Sequence, residues 1–184
     1  MRLDLAYKFF LHLDCIEAPF CVVINRIHTH KILNVFFLII NSLGNGKFWY
    51  ILMILLPFVY GKAALLIAFQ MIIVGLFSLP IYKFIKNHFA RNRPYITHKN
   101  IVCVTPPLDH YSFPTGHTMN AVAFTIIVCK WHSELGTILI PFTFFVALSS
   151  IELGHHYPTD IIFGAFAGII FVFILNFIWI KIML

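Results

Sequence analysis

Long apolar runs alternate with short polar segments along the chain, and this pattern predicts a bundle of membrane-spanning helices. A helix that crosses a bilayer needs about 20 mostly apolar residues, because each residue adds about 1.5 Å. Two runs have this length and three are shorter, the shortest of which needs its flanks, some tilt or local thinning of the bilayer to cross. The five predicted spans are Phe48–Tyr60, Ala63–Tyr82, His117–Trp131, Ile138–Leu153 and Ile161–Ile180.

The N-terminal part of the chain, residues 1–41, has a weaker pattern. Two short apolar runs flank a basic cluster at residues 26–31, which is typical of an amphipathic helix or helical hairpin in the membrane interface. We therefore divide the chain into an N-terminal amphipathic, interfacial segment over 1–41 and a membrane-embedded core over 42–184. A sixth span results if the first segment also crosses. Asp4 and Asp14 interrupt the apolar N-terminus, so the sequence does not predict a cleaved signal peptide.

Composition supports a membrane protein and excludes other classes. Of the 184 residues, 60% are hydrophobic and only 11% are charged, less than half of the roughly 25% that is usual in soluble domains. This hydrophobicity excludes a disordered chain. A collagen-like or coiled-coil protein is excluded because the sequence has neither a glycine period nor charged heptads. The predicted fold class is all-α, a polytopic membrane helix bundle with five spans, or six.

The basic residues lie mostly in the polar segments between the apolar runs. Lys and Arg total 13 against 7 Asp and Glu, which gives a net charge of +6 with His neutral. In a membrane protein, basic loops favour acidic lipid head groups or phosphates as partners. We therefore expect the bilayer and a phosphate-bearing molecule as partners, and no nucleic acid. The oligomeric state is left open.

Two polar segments, Lys83–Gly116 and Glu152–Asp160, are separated by two of the predicted spans. Two crossings return the chain to the membrane face from which it left. The polar residues of both segments therefore lie on the same face and can meet in one site. Pro94 and the pair Pro106-Pro107 force most of the first segment into a loop.

These segments contain three clusters of residues that suit phosphate chemistry. The clusters are Lys86 followed after six residues by Arg93-Pro94, then Pro114-Thr115-Gly116-His117, then Ser149-Ser150 followed by His156 and Asp160. Each cluster alone has an ordinary structural explanation, such as contact between basic residues and lipid head groups. Their occurrence together, in order and on one membrane face, favours a site for phosphoryl transfer.

Elementary chemistry gives the anion-binding residues their roles. A phosphoryl group in transfer spreads negative charge over three oxygens, which Lys86 and Arg93 can bind. Backbone N–H groups at a helix start favour an anion, and Gly116 lets that backbone come close. The hydroxyl of Thr115 adds a further donor.

The remaining residues suit nucleophilic and acid–base catalysis. A neutral His156 can attack phosphorus, and Asp160, four residues later, can accept its far N–H and stabilise the imidazolium. His117 can protonate the leaving oxygen and later activate water. A metal protein is disfavoured because the sequence contains no HExxH motif and no Cys/His framework. No cofactor is predicted.

The three clusters resemble the three motifs of the type 2 phosphatidic acid phosphatase family, from roughly residue 48 to the C-terminus. Members of this family are integral membrane lipid-phosphate phosphatases, related to soluble acid phosphatases and vanadium haloperoxidases. The resemblance implies hydrolysis of a lipid phosphate or diphosphate through a phosphohistidine on His156, oriented by Asp160. It also implies His117 as general acid and a mechanism that requires no metal. The phosphate ligands that it implies are Lys86 and Arg93.

Two positions depart from the family's motifs. Thr115 stands where the second motif usually has Ser, which keeps the hydroxyl. Ser150 stands where the third motif usually has Arg, which removes a charge-assisted hydrogen bond of roughly 1.5–3 kcal/mol. Both stay candidates for substrate binding. We expect Arg91 or His155, which lie beside motif residues, to supply the missing charge.

Two alternatives use the same residues. A phosphotransferase would pass the phosphoryl group from the same histidine to another lipid or to a sugar. A non-catalytic lipid-phosphate binder is favoured by Ser150, whereas His117, His156 and Asp160 oppose it. Bacterial substrates of the family include undecaprenyl diphosphate, phosphatidylglycerol phosphate, phosphatidic acid and lipid A phosphates, and the sequence does not choose between them.

The membrane orientation has two conflicting indications. Lys and Arg crowd the predicted catalytic face, which the positive-inside rule would place in the cytoplasm. Phosphate binding explains several of these charges, however, and bacterial members of the family commonly face the periplasm. We therefore expect an integral protein of the bacterial inner membrane whose active site faces the periplasm.

Small residues interrupt the last apolar run. Gly164 and Gly168 are four residues apart, with Ala165 and Ala167 between them. This spacing places small residues on one face of a helix and lets a neighbouring helix approach closely. We expect close packing within one subunit rather than a dimer interface.

Overall fold

The computed structural model describes residues 2–107 and 109–183, and the regular structure in these ranges is entirely helical. In chain order the helices are α1 Arg2–Asn25, α2 Lys31–Ser42, α3 Phe48–Tyr60, α4 Ala64–Phe89, α5 Pro94–Thr97, α6 Gly116–Trp131, α7 Gly136–Glu152 and α8 Pro158–Met183. Short 3₁₀ turns at Arg26–Thr29 and Ser133–Leu135 join α1 to α2 and α6 to α7. The predicted all-α fold class is confirmed.

Four helical stretches of the described chain are long and apolar enough to cross a membrane. They are Lys31–Tyr60, Ala64–Thr97, Ser133–Glu152 and Pro158–Trp179. The remaining predicted span, His117–Trp131, forms most of α6, whose 16 residues reach only about 24 Å. This helix packs against α4, α7 and α8, so it is the central helix of the bundle and other helices rather than lipid cover its buried face.

The N-terminal region forms two helices separated by the turn at the basic cluster. α1 packs against α4, α5 and α7. α2 continues into α3 through a π turn at Leu43–Lys47, where Gly46 has a φ of 113°. α2 and α3 therefore form one helical stretch with a kink at Asn45-Gly46. The interfacial position of residues 1–41 and the division at residue 41 stay predictions.

Aromatic side chains from α3, α6 and α7 occupy the centre of the main core. The Trp49 ring is buried, 5.4 Å from the ring of Phe124 and 5.6 Å from that of Phe142. The outward faces of the helices carry large exposed apolar side chains, such as Phe58 and Phe173. Apolar faces of this extent on a soluble protein would drive association, whereas a bilayer covers them.

The two glycines of the last span hold α8 against α6 of the same chain. A Cβ atom added at Gly164 would lie 2.6 Å from the carbonyl oxygen of Thr115, and one added at Gly168 would overlap the carbonyl oxygen of Met119. The backbones therefore touch at the positions where the sequence predicts close helix packing. This contact brings the start of α8 beside the start of α6.

We predict that Gly168→Ala destabilises the protein by about 1–3 kcal/mol, because the added methyl group meets backbone that cannot move aside. Gly136→Ala is the matched control, since its Cβ would lie 3.4 Å from the sulfur of Cys129, an ordinary contact. Thermal unfolding in detergent measures both variants. Equal Tm values for Gly168→Ala and Gly136→Ala would contradict the packing described above.

Candidate active site

A cavity of about 850 Å³ lies between the α2–α3 unit, α4, α6 and the α7–α8 connection. Apolar side chains of α3 and α4 line one part of it. Residues from all three predicted motifs line its polar end. These polar-end residues are Lys86, Arg93, Asp109, Gly116, His117, His155 and His156.

Lys86 and Arg93 meet because the chain turns sharply between them. α4 ends at Phe89, Ala90 has a left-handed backbone with a φ of 47°, and Arg93 then precedes the first residue of α5. Both side chains are buried, and both bind one carboxylate. Lys86 Nζ lies 2.9 Å from Asp109 Oδ1, and Arg93 Nη2 lies 2.5 Å from the same atom.

Asp109 is a site residue that sequence reasoning missed. Burial alone would raise the pKa of its carboxyl group, but the ammonium of Lys86 and the guanidinium of Arg93 outweigh burial and hold that pKa below its ordinary value. The ionised carboxylate therefore occupies the position between the two cations. A signal was available, since Asp109 is the only acidic residue between positions 83 and 116.

His156 lies beside these cations in the cavity wall. Its Nε2 is 3.5 Å from Arg93 Nη1, which also donates a 3.0 Å hydrogen bond to the carbonyl oxygen of His155. Burial, with a further contribution from the charges of Arg93 and Lys86, lowers the pKa of His156 well below its ordinary value. The imidazole is therefore neutral near neutral pH, which is the nucleophilic form.

Asp160 lies on the other side of this imidazole. Its Oδ2 accepts a 2.8 Å hydrogen bond from the backbone N–H of Tyr157 and lies 3.7 Å from His156 Nδ1. That separation is longer than a hydrogen bond, and a shift of roughly 1 Å would close it. The structure thus brings the predicted orienting carboxylate next to the predicted nucleophile.

α6 begins at the polar end of the cavity, with Gly116 and His117 in the wall. The first N–H groups of a helix carry partial positive charge and lack acceptors within the helix, so they favour an anion here. A Cβ atom at Gly116 would lie 3.2 Å from the ring of Tyr82. Just before the helix, the backbone N–H of Thr115 donates to the carbonyl oxygen of Asp160 at 3.3 Å, which ties the second and third motifs together.

Two predicted substrate-binding residues lie behind the cavity wall. The hydroxyl of Thr115 is buried and has no hydrogen-bond partner among the described residues. Ser150 is buried on α7, where its hydroxyl donates to the carbonyl oxygen of Val146 at 3.3 Å. The carbonyl oxygen of Ser150 accepts the N–H groups of His155 and His156. Ser150 therefore supports the backbone that carries the histidines.

Neither of the two residues expected to replace the third-motif arginine, Arg91 and His155, provides a cation at the polar end of the cavity. Arg91 lies behind the site, where its Nη1 donates to Asp160 Oδ1 at 2.6 Å, so the expectation that it binds phosphate is wrong. His155 is in the wall, but burial lowers its pKa to about 4 and it is neutral near neutral pH. The cations that face the cavity at this end are Lys86 and Arg93.

Part of this chain is similar in sequence to known proteins. The undecaprenyl-diphosphatase BcrC of Bacillus subtilis (strain 168) is 30% identical over 102 residues, which cover 55% of this chain and 52% of that protein. The bacitracin transport permease protein BcrC of Bacillus licheniformis is 28% identical over 78 residues, which cover 42% of this chain and 38% of that protein. The aligned part thus spans about half the length of the first relative and less of the second.

Two solved structures have a similar fold over most of their length. Aquifex aeolicus LpxE superposes with a TM-score of 0.75 at 26% identity, covering 88% of this chain and 94% of that one. A PAP2 type phosphatidylglycerolphosphate phosphatase from Bacillus subtilis superposes with a TM-score of 0.67 at 23% identity, covering 98% and 96%. The sequence profile of the PAP2 superfamily matches residues 60–182, which include all three motifs. The chain is therefore an integral membrane protein that belongs to the PAP2 superfamily.

Proposed function

We propose that the protein is a lipid-phosphate phosphatase that hydrolyses a phosphomonoester or a diphosphate of a membrane lipid. The observation that carries this proposal is a single cavity whose polar end holds two cations and three histidines and whose other part is apolar. A water-soluble ester would not need the apolar part, and a passive lipid site would not need the histidines. Membership of the PAP2 superfamily supports the same reaction class.

In the first step that we propose, Lys86 and Arg93 bind the phosphoryl oxygens and His156 Nε2 attacks phosphorus. The P–N bond forms as the bond from phosphorus to the leaving oxygen breaks. His117, protonated once the anionic phosphate is bound beside it, donates a proton to that oxygen. Asp160 accepts the Nδ1–H of His156 and stabilises the imidazolium as its positive charge develops.

In the second step, His117 accepts a proton from water and the resulting hydroxide attacks phosphorus. The P–N bond breaks, inorganic phosphate forms, and His156 returns to its neutral state. Neither step requires the side chains of Thr115 and Ser150 to touch the substrate. Their proposed role is to hold the backbone at the starts of α6 and α8.

The apolar part of the cavity is suited to a lipid tail. Trp49 and Met53 of α3 and Met71 and Leu79 of α4 line it. A tail placed there keeps its hydrocarbon away from water while the phosphate reaches the cations. Relatives whose names specify a substrate act on undecaprenyl diphosphate and on phosphatidylglycerol phosphate, and these two lipids head the substrates to be tested.

The proposal also includes the orientation of the active site in the membrane. We propose that the active site faces the periplasm of the bacterial inner membrane, and hydrolysis of a membrane-impermeant lipid phosphate by intact cells checks this.

A lipid-phosphate binder without turnover is the second candidate function, and Ser150 in place of a third-motif arginine favours it.

Phosphate release by purified protein in detergent tests the reaction class. The substrates are undecaprenyl diphosphate, phosphatidylglycerol phosphate, phosphatidic acid and a lipid A phosphate, with EDTA present throughout. We expect wild type to release phosphate from at least one of them and His156→Ala to lose at least about 10³-fold in kcat, because the nucleophile is gone.

The outcomes separate the candidate functions. Lipid binding by wild type with no phosphate release would favour the binder. Loss of lipid phosphate with the phosphoryl group recovered on another lipid would identify a phosphotransferase. Activity that EDTA abolishes would contradict a mechanism without a metal. Glu134→Gln, which changes an exposed acidic residue far from the cavity, serves as the control and is expected to match wild type.

We predict that Asp109→Asn strengthens inhibition by inorganic phosphate roughly tenfold, because a bound phosphate must displace the Asp109 carboxylate from Lys86 and Arg93. The inhibition constant of phosphate against lipid hydrolysis measures this, with Glu134→Gln as the matched loss of one negative charge. Weaker inhibition in Asp109→Asn would show instead that Asp109 positions the two cations for phosphate.

The neutral imidazole predicts the acid limb of the pH profile. Protonated His156 cannot attack, so activity is present above its folded-state pKa and is lost as pH falls through it. Since burial lowers that pKa well below 6.5, we expect kcat/KM not to fall as the solution is acidified from about pH 8 to about pH 6.5 and to decline only in more acidic solution. Loss of half of kcat/KM on acidification from about pH 8 to about pH 6.5 would contradict the neutral, buried nucleophile.

A further inference from the structure

Arg91 lies two residues before Arg93 but faces away from the cavity into the N-terminal helix. Its side chain is only 1% exposed. The guanidinium carbon lies 4.1 Å from the ring centroid of Tyr157 and 4.8 Å from that of Phe10. The cation is thus covered by one ring from α1 and by another from the segment that carries His156.

All five N–H groups of this guanidinium have oxygen acceptors. Nε and Nη2 donate to Asp14 Oδ1 at 3.0 and 2.7 Å, and Nη2 also donates to Glu17 Oε2 at 2.8 Å. Nη1 donates to the hydroxyl of Thr159 at 2.7 Å and to Asp160 Oδ1 at 2.6 Å. An arginine has five such donors in a rigid fork, so its donor capacity is filled.

Glu17 connects α1 directly to the start of α8. Its Oε1 accepts the backbone N–H of Thr159 at 2.8 Å, and its Oε2 accepts the hydroxyl of Thr159 at 2.8 Å. Glu17 is buried, and so is Asp14 one turn earlier. Two carboxylates of α1 therefore hold both the arginine and the first turn of the helix that carries Asp160.

The consequence for Asp160 is that each carboxylate oxygen is held by a different partner. Oδ1 accepts from Arg91, and Oδ2 accepts the N–H of Tyr157 at 2.8 Å. The remaining free direction of Oδ2 is towards His156 Nδ1, 3.7 Å away. The guanidinium also compensates the charge of a carboxylate that is fully buried, which would otherwise be costly.

We propose that α1 is part of the catalytic apparatus, in which Asp14, Glu17 and Arg91 are positioning residues that hold Asp160 against His156. Asp14 and Glu17 lie outside residues 60–182, the part that matches the superfamily profile. The effect on turnover rests on the function proposed above. The effect on the imidazole does not, because it concerns the geometry of His156 alone.

The structure distinguishes the two acidic residues of α1. Asp14 binds Arg91 through Oδ1, so Asp14→Asn can keep both hydrogen bonds with its amide oxygen. Glu17 accepts through both oxygens, so in Glu17→Gln an amide N–H must face one of the donors. We expect Glu17→Gln to lower kcat about 10- to 100-fold and Asp14→Asn no more than about threefold, with KM within about twofold in both.

Conservative replacement and a double mutant separate positioning from folding. Arg91→Lys keeps the charge but offers three donors in place of five, so we expect more activity than in Arg91→Met. In an Asp160→Asn background, Glu17→Gln is expected to cause no further loss, because its effect passes through Asp160. Additive losses in the double mutant would overturn the proposal. Cys15→Ser, at an exposed position of α1, is the control.

The ring nitrogens of His156 give a readout that does not depend on turnover. Their ¹⁵N chemical shifts, assigned by comparison with His156→Gln, are expected to change in Glu17→Gln and Arg91→Met and to stay unchanged in Cys15→Ser. Unchanged shifts in Glu17→Gln and Arg91→Met would overturn the proposal. Absence of phosphate release by wild type would instead refute the proposed function, and the shifts would still decide whether α1 positions the site.

Discussion

Burial of charge inside an apolar protein is the constraint on which this active site depends. A charged side chain away from water is costly unless opposite charges and hydrogen bonds compensate it. Arg93 meets this requirement with Asp109, whose side chain is 37% exposed at the cavity. Arg91, two residues earlier, meets it with Asp14, Glu17 and Asp160, all buried.

This difference in exposure gives the two arginines different properties. The partner of Arg93 sits at an open cavity, so an incoming phosphate can replace it. The partners of Arg91 are buried between α1 and α8 and do not line the cavity, so a phosphate bound there does not replace them. One cation therefore binds an exchangeable anion, and the other fixes the carboxylate behind the nucleophile. The left-handed backbone at Ala90 begins the short segment that carries both arginines. Within it, Arg91 points to the buried carboxylates and Arg93 points to the cavity.

A second requirement is that His117 lies close to His156 and Asp160. The close packing of α6 against α8 meets this requirement. His117 lies in the first turn of α6, and Asp160 lies in the first turn of α8. Both helices start at the cavity and run together along the contact at Gly164 and Gly168. The distance between the second and third motifs therefore depends on two glycines that do not line the cavity.

The long helices after residue 47 could be predicted from hydropathy, whereas α1 and the joining of α2 to α3 could not. The predicted run Ile138–Leu153 differs by two residues or fewer from the ends of α7, Gly136–Glu152. The two predicted crossings between the polar segments also placed the three motifs on one membrane face, where they can meet. The side-chain pairs could not be predicted in this way, because Arg91 and Asp14 are 77 residues apart in the chain. Asp14 appeared in the sequence only as an interruption of an apolar N-terminus.

Direct trapping of the covalent intermediate tests the mechanism at its centre. Protein in detergent would be mixed with lipid phosphate labelled with ³²P, quenched in alkali, in which phosphohistidine is stable, and digested to locate the label. We expect label on the peptide that contains His156 in wild type and in His117→Ala, in which both formation and hydrolysis of the intermediate are slowed, and none in His156→Gln. Phosphate release with no label in wild type or in His117→Ala would contradict a phosphohistidine mechanism.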